Sequence, residues 1–444
     1  MILYGTSVLD ASGELCIGGW RASDLKEQFG TPLYVYDEEY IRASIQSYHR
    51  AFARTGVDYA LSYACKAFCT VAMSQLAREE NMWLDVVSGG ELHTALQAGV
   101  DPAYICMHGN NKSPAELLFA IKAGIGMIVI DNFYEIELLA ELLEQEDATI
   151  DALLRVSPGV DVHTHEFIAT GRQDSKFGFD LYSGQVDEAL DRLTAHPRIQ
   201  LLGLHSHIGS QIFDADGFRV AASRLASLSA HLGRRYGIWF RVLNLGGGMG
   251  IRYTSEDSPI PVERLVEGIV EATVASFKEY GIPLPRLMME PGRSIVAQAG
   301  TTLYTVGSRK EIQGVRTYVA VDGGMTDNPR LALYGAKYEA CIANRVNDPE
   351  METVSIAGKC CESGDMLIWD VALPNPAPGD ILAVSCTGAY NYSMASNYNR
   401  VARPAVVFVR NSEARLVVER ETLADLCRLD RSLDSAPVGS PGEQ

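Results

Sequence analysis

The sequence is short of positive charge: 38 Lys and Arg stand against 56 Asp and Glu, a formal net charge of −18. Such a chain repels polyanions bound through their phosphates, which excludes nucleic acid and acidic membrane surfaces as partners. Long apolar runs are missing too. The longest uncharged stretch, 381–399, is full of Ser, Asn, Tyr and Gly and fails the requirement for a membrane span. No basic residue precedes the short apolar start MILYGTSVL, and Asp10 follows too early for a secretory signal, so a cytoplasmic location is expected. Nine cysteines, an odd count without repeated spacing, argue against a disulfide framework and for reduced thiols. Only the adjacent Cys360 and Cys361 stand out.

What the chain does have is core material: 47% hydrophobic residues, against 21% charged, the balance of a globular protein. Its 444 residues, at roughly 150 per domain, suggest two or three domains. After a leading strand and helix (LYVYD, then 38–54), apolar runs at 57–64, 81–87, 103–107, 126–131, 150–156, 200–206, 238–245 and 286–290 alternate with segments of helical period. Eight such repeats favour a closed (β/α)8 TIM barrel over an open doubly wound sheet. Beyond residue 294 the texture turns to strand-like runs such as VRTYVAVDG and ARPAVVFVR between Gly, Pro and Asn turns. The expected fold class is therefore α/β plus β. The N-terminal segment 1–30 packs with the β domain, 31–293 forms the barrel, 294–430 forms a C-terminal β-sandwich or β-barrel domain, and 431–444 is a disordered tail.

In a barrel of this kind, reactive groups gather where strands end. Lys66 follows the first strand, His108 the third, His207 the sixth, Gly246, Gly247 and Gly248 the seventh, and Glu290 to Arg293 the eighth. Lys66 sits among small and apolar residues in SYACKAF, where burial would favour a neutral amine able to form a Schiff base; the competing reading is an ordinary lysine with its head in solvent. Three glycines at a strand end allow backbone N–H groups to close on a phosphate, or simply make a tight turn. Two His-x-His pairs, His163 with His165 and His205 with His207, invite a metal reading. The first lies among turn-forming residues, however, and no carboxylate completes a set, so no metal is expected.

The runs YACKAF, HGNNKS, HTHEFIATGRQDSKFG, GLHSHIGSQI, NLGGGMG, EPGRSIV, VDGGMTDNPRLALYGAKYE, CCESGD and GAYNYSMASNYNR resemble, in order, the motifs of the diaminopimelate decarboxylases. These belong to the alanine-racemase-like, fold type III group of pyridoxal phosphate enzymes. The resemblance spans about 30–410 and implies a role for each matching residue. Lys66 would hold pyridoxal 5'-phosphate covalently, His207 would stack on its ring, and Glu290 would pair with the pyridine nitrogen. Ser210, the three glycines, Gly292, Arg293 and Tyr390 would bind its phosphate. Arg293, Arg330 and Tyr334 would receive the substrate's distal carboxylate and Glu362 its distal ammonium, and Tyr390 would also bind the substrate. Cys361 would donate a proton to the α-carbon, from a loop reaching the neighbouring subunit's site in a homodimer. The implied reaction is decarboxylation of meso-2,6-diaminopimelate at its D-centre to L-lysine, the last step of lysine biosynthesis. A related decarboxylase acting on D-ornithine, D-lysine, arginine or a carboxypolyamine is the near alternative. A non-catalytic pyridoxal phosphate-binding protein is the distant one, although Lys66 and Cys361 are both present. A zinc-dependent barrel hydrolase ranks third.

Overall fold

A computed structural model describes residues 2–160 and 175–434. Its centre is a ring of eight parallel strands: β1 (Tyr59–Ala64), β2 (Trp83–Val86), β3 (Ile105–Met107), β4 (Met127–Ile130), β5 (Ile150–Ser157), β6 (Ile199–His205), β7 (Val242–Asn244) and β8 (Arg286–Met289). They pair in chain order, β8 pairs with β1, and the sheet closes without an edge. Each strand's two faces do different work. Ala60, Cys106, Val129, Leu153, Val242 and Met288 meet one another inside the ring. Their neighbours Leu61, Ile105, Ile128, Leu154, Leu243 and Leu287 join the large cluster shared with the surrounding helices. This two-residue alternation decides which polar side chains reach the interior at the strand ends.

Local chemistry fixes the joints. Ser113 caps helix Pro114–Ala123 reciprocally with Glu116, and the helix stops at Gly124 in a left-handed conformation. Asp37 ends a strand and caps helix Glu38–Thr55 by accepting the Tyr40 N–H.

The second body is a nine-stranded mixed sheet. It contains β9 (Gly300–Ile312), β10 (Arg316–Val321), β11 (Ala340–Ile342), β12 (Met351–Ala357), β13 (Met366–Pro374), β14 (Ile381–Ser385), β15 (Ala405–Arg410) and β16 (Glu413–Val418). The ninth strand is Leu33–Asp37, which lies antiparallel to β9 and parallel to β15. The sequence reading placed LYVYD at the head of the barrel segment. The strand belongs instead to the β sheet: all five of its residues are buried, and its two edges are hydrogen-bonded to β9 and β15 rather than to any barrel strand. Leu15, Ile17, Ala22 and Leu25 of the N-terminal segment pack with Leu33, Val35, Leu303, Ala383 and Val407 on one face of this sheet. The expected tail lies outside the described residues from 435 onward.

Candidate active site

The inward register of the barrel strands, continued by two residues, builds the floor of the site. Cys106 leads to His108, Leu153 to Arg155, Val242 to Asn244 and Met288 to Glu290. Glu290 is the hub. Its Oε1 accepts from Asn244 Nδ2 at 2.6 Å and lies 3.1 Å from His108 Nε2, while its Oε2 lies 3.1 Å from His205 Nε2. Asp85, from β2, sits 3.6 Å from His108 Nε2.

Burial alone would neutralise the Glu290 carboxyl, but the two imidazoles outweigh it and hold its pKa well below the ordinary value. His108 moves the other way: burial opposes its charge, yet Asp85 and Glu290 raise it well above the usual imidazole range. His205 is pushed down to about 4, chiefly by burial, and is neutral at pH 7. Asp85 is raised, chiefly by burial, with His108 opposing. The floor therefore carries an ionised Glu290 paired with a charged His108.

Above it opens a cavity of about 750 Å³ lined by Lys66, His207, Ser210, Gly247, Gly248, Arg293, Arg330, Tyr334 and Tyr390. Lys66 stands on the short turn Cys65–Ala67 after β1, and its side chain is exposed to the cavity rather than enclosed by the apolar residues around it in sequence. Its flanks Cys65 and Ala67 are buried and Lys66 is not, because the turn directs them into the core. Arg293 is 7% exposed and donates from Nη2 to Ser210 Oγ at 3.0 Å and from Nη1 to the Tyr253 hydroxyl at 2.6 Å. Its guanidinium lies 4.7 Å from the Tyr390 ring centroid. Arg330 donates to the Tyr338 hydroxyl at 2.9 Å and stacks 5.0 Å from the Tyr253 ring. Tyr253 thus links the two cations.

The Gly247 N–H donates to His207 Nδ1 at 3.2 Å. Burial, with Lys66 next, lowers the His207 pKa well below the ordinary value, so the ring is neutral and carries its proton on Nε2. Gly247 has no alternative: a Cβ there would meet the Glu290 carbonyl at 2.1 Å, and one on Gly248, at φ +106°, would meet the Gly209 carbonyl at the same distance. Gly246 is one step behind the cavity, its carbonyl accepting the Glu290 N–H at 2.8 Å. Gly292 lines the wall beside Ala64. A buried Asp85 Oδ1 has no hydrogen-bond partner. Together, backbone glycines with a guanidinium at one end, an ionised carboxylate at the other and an amine alongside fit a planar aromatic ligand that bears a phosphate and a protonatable ring nitrogen.

Besides Gly246, two expected residues stay out of this cavity. Cys361 and Glu362, on the loop between β12 and β13, are exposed and do not line it. Asp85, Arg155 and Tyr253 were not anticipated. Asp85 and Arg155 carry a readable signal, since each is a charged residue in the C-terminal half of an apolar strand, in WLDV and ALLRVS. Of the two His-x-His pairs, 163/165 lies outside the described residues. In the other pair, His205 turns to Glu290 while His207 turns to Gly247. Among the described residues, His108, His205 and Glu290 are close enough to share a metal ion, but there the carboxylate already lies against both imidazoles.

Residues 39–297 match the family described as pyridoxal-dependent decarboxylase, pyridoxal binding domain. The chain is 56% identical over 430 residues to diaminopimelate decarboxylase of Bacillus subtilis (strain 168), covering 97% of this chain and 98% of that one. It is 46% identical to the Staphylococcus aureus (strain COL) protein of the same name, covering 94% and 97%. The crystal structure of diaminopimelate decarboxylase from M. jannaschii in complex with L-lysine superposes with a TM-score of 0.90 at 35% identity, covering 96% and 98%.

Proposed function

The chain belongs to the diaminopimelate decarboxylase family of pyridoxal-dependent decarboxylases, and on that premise we propose how its residues divide the work. It has diaminopimelate decarboxylase activity, uses pyridoxal 5'-phosphate and serves lysine biosynthesis. One observation carries the residue assignment: Lys66, Arg293 and an ionised Glu290 meet on a single cavity.

Lys66, whose amine faces the cavity, is the residue that would hold the cofactor covalently. Ser210, Gly247, Gly248, Gly292, Arg293 and Tyr390 would hold the phosphate, with Gly246 shaping the turn behind them, and His207 would face the ring. Glu290, kept ionised by its imidazole neighbours, would hold the proton of the pyridine nitrogen. When bound, the cofactor supplies a cationic conjugated ring that accepts the electron pair freed as the bond to the carboxylate breaks.

Arg293, Arg330, Tyr334 and Tyr390 take the substrate's distal carboxylate. The buried Arg330 suits this role, because a guanidinium stays charged where a lysine would not. A distal carboxylate distinguishes diaminopimelate from lysine and ornithine, and reaction at the D-centre of meso-2,6-diaminopimelate, with L-lysine as product, completes the proposed reaction. Cys361 delivers a proton to the α-carbon and Glu362 meets the distal ammonium, both from the partner subunit of a homodimer. Their exposure outside this chain's own cavity supports that sharing. The barrel then carries the cofactor, and the β domain, which also takes in the strand Leu33–Asp37, supplies the substrate and partner-facing loops. A cytoplasmic location agrees with nine unpaired cysteines and with the absence, among the described residues, of any helix long and apolar enough to cross a membrane.

The test is carbon dioxide release from meso-diaminopimelate and from lysine, ornithine and arginine, each of these three in both configurations. Release from meso-diaminopimelate alone, with L-lysine formed, is the expected result. No product from diaminopimelate would overturn the assignment.

A further inference from the structure

The loop bearing Cys361 is gripped at its tip by a turn about forty residues away in sequence, and that turn is strained. Asn399 and Arg400 have φ of +52° and +56°, left-handed conformations that side chains other than glycine avoid and that Asn tolerates best. Arg400 clasps the turn from outside: its Nη2 pairs with Asp430 at 2.9 Å and its Nη1 donates to the Leu426 carbonyl. The strained conformation aims Asn399 at the thiol loop. Its Oδ1 accepts the Cys361 N–H at 2.8 Å, and the hydroxyl of the preceding Tyr398 donates to the Cys361 carbonyl at 3.3 Å. Both backbone polar groups of Cys361 are thereby fixed by one turn, leaving only the side-chain torsion of the thiol free.

The base of the loop is tied elsewhere. Asp365 is 3% exposed; one of its oxygens accepts the Cys360 N–H at 2.7 Å and the other the Met325 N–H at 2.6 Å. Lys359 N–H bonds the Gly323 carbonyl at 3.0 Å. The base is thus joined to the segment leading to Arg330, and the tip depends on Asn399.

These tip bonds are exposed, and water competes for exposed hydrogen bonds, so they add little to stability. Strain that brings the fold so little is the kind found where geometry serves function. We propose that Asn399 is a positioning residue for the Cys361 thiol, holding the loop at the height from which the thiol reaches the substrate's α-carbon. This rests on the reading of Cys361 as proton donor.

The test uses the full-length holoenzyme with Asn399→Gly, Asn399→Ala and Asn399→Asp, each alone and combined with Cys361→Ala. Asn399→Gly keeps the left-handed backbone and loses the acceptor; Asn399→Asp keeps the acceptor. Loss of one orienting hydrogen bond predicts kcat about tenfold lower for Asn399→Gly and Asn399→Ala, with KM within about twofold of the parent. Asn399→Asp returns to within about threefold of the parent. In the Cys361→Ala background Asn399→Gly causes no further loss, because the group it positions is gone. Independently of activity, amide hydrogen exchange at Cys361 is faster in Asn399→Gly and unaltered in Asn399→Asp.

Full activity in Asn399→Gly, an equal loss with and without the thiol, or unaltered exchange at Cys361 would each overturn the proposal. A Cys361→Ala enzyme with normal kcat would overturn the reading beneath it, a result separate from the exchange measurement.

Discussion

Around the cavity the charged groups Arg293, Arg330 and Glu290 are buried and hydrogen-bonded within one chain. On the loop between β12 and β13 the picture reverses. Cys361 and Glu362 are exposed, and the bonds that shape the loop run through backbone and through Asp365 and Asn399. The cavity is preorganised for binding, so its energetic cost is met during folding. The loop is held at its base by the buried Asp365 carboxylate and at its tip through the Cys361 backbone, while the Cys361 and Glu362 side chains are exposed. On the proposed reading, a chain that folds alone holds cofactor and substrate carboxylate yet lacks the proton donor.

Lys66→Ala tests the cavity half with the largest effect: turnover falls by on the order of 10⁴-fold or more, and the covalent cofactor link, read as a borohydride-reducible chromophore, disappears. Near-normal activity would break the comparison by showing the cavity dispensable.

Glu290→Gln keeps the shape and removes the charge, and kcat falls by about 10²–10³-fold. His108, deprived of its carboxylate partner, titrates at lower pH, which NMR of the ring protons reads out. An unmoved His108 would mean that Asp85 alone sustains its charge.

Arg330→Ala raises KM for diaminopimelate about 10–100-fold, the worth of a charged hydrogen-bonded contact, with a smaller change in kcat. A fall in kcat alone would place Arg330 with the chemistry rather than with binding.

The smallest effect concerns Asp327, in the segment that carries Arg330. Burial, opposed by the Tyr304 hydroxyl at 2.5 Å, raises its pKa to about 7. The folded state thus keeps a proton that the unfolded chain releases near pH 4. Stability from this carboxyl is fully present below about pH 4, declines as pH rises, and is lost above about 7. Asp327→Asn should flatten the fall in Tm between those limits by about a few degrees; an unchanged slope would assign the pH dependence elsewhere.

Much of the barrel is legible in the sequence because a parallel strand buried on both faces reads as a compact apolar run, and eight of these recur with helical segments between them. LYVYD misleads for the same reason: it too is apolar throughout, and nothing local distinguishes a strand of the mixed sheet from one of the barrel. Lys66, His207, Glu290 and Arg293 are legible as polar residues placed just past strand ends. Asp85 and Arg155 are less so, since they lie inside strands and are marked only by being charged residues near the ends of apolar runs. Tyr253 follows the glycine loop with no periodic signal, and its link between Arg293 and Arg330 depends on segments about forty and eighty residues apart. Asn399 is hidden most deeply: its left-handed backbone and its bond to Cys361 are long-range outcomes of packing.

The central claim is that one working site needs two chains, and mixing inactive enzymes tests it most directly. Lys66→Ala and Cys361→Ala proteins, each severely impaired alone, are combined and allowed to exchange subunits. Random exchange makes half the dimers mixed, each with one intact site, so activity recovers to about one quarter of the parent value. No recovery, with mixed dimers demonstrated by differential tagging, would contradict the shared site and place Lys66 and Cys361 in the service of the same chain.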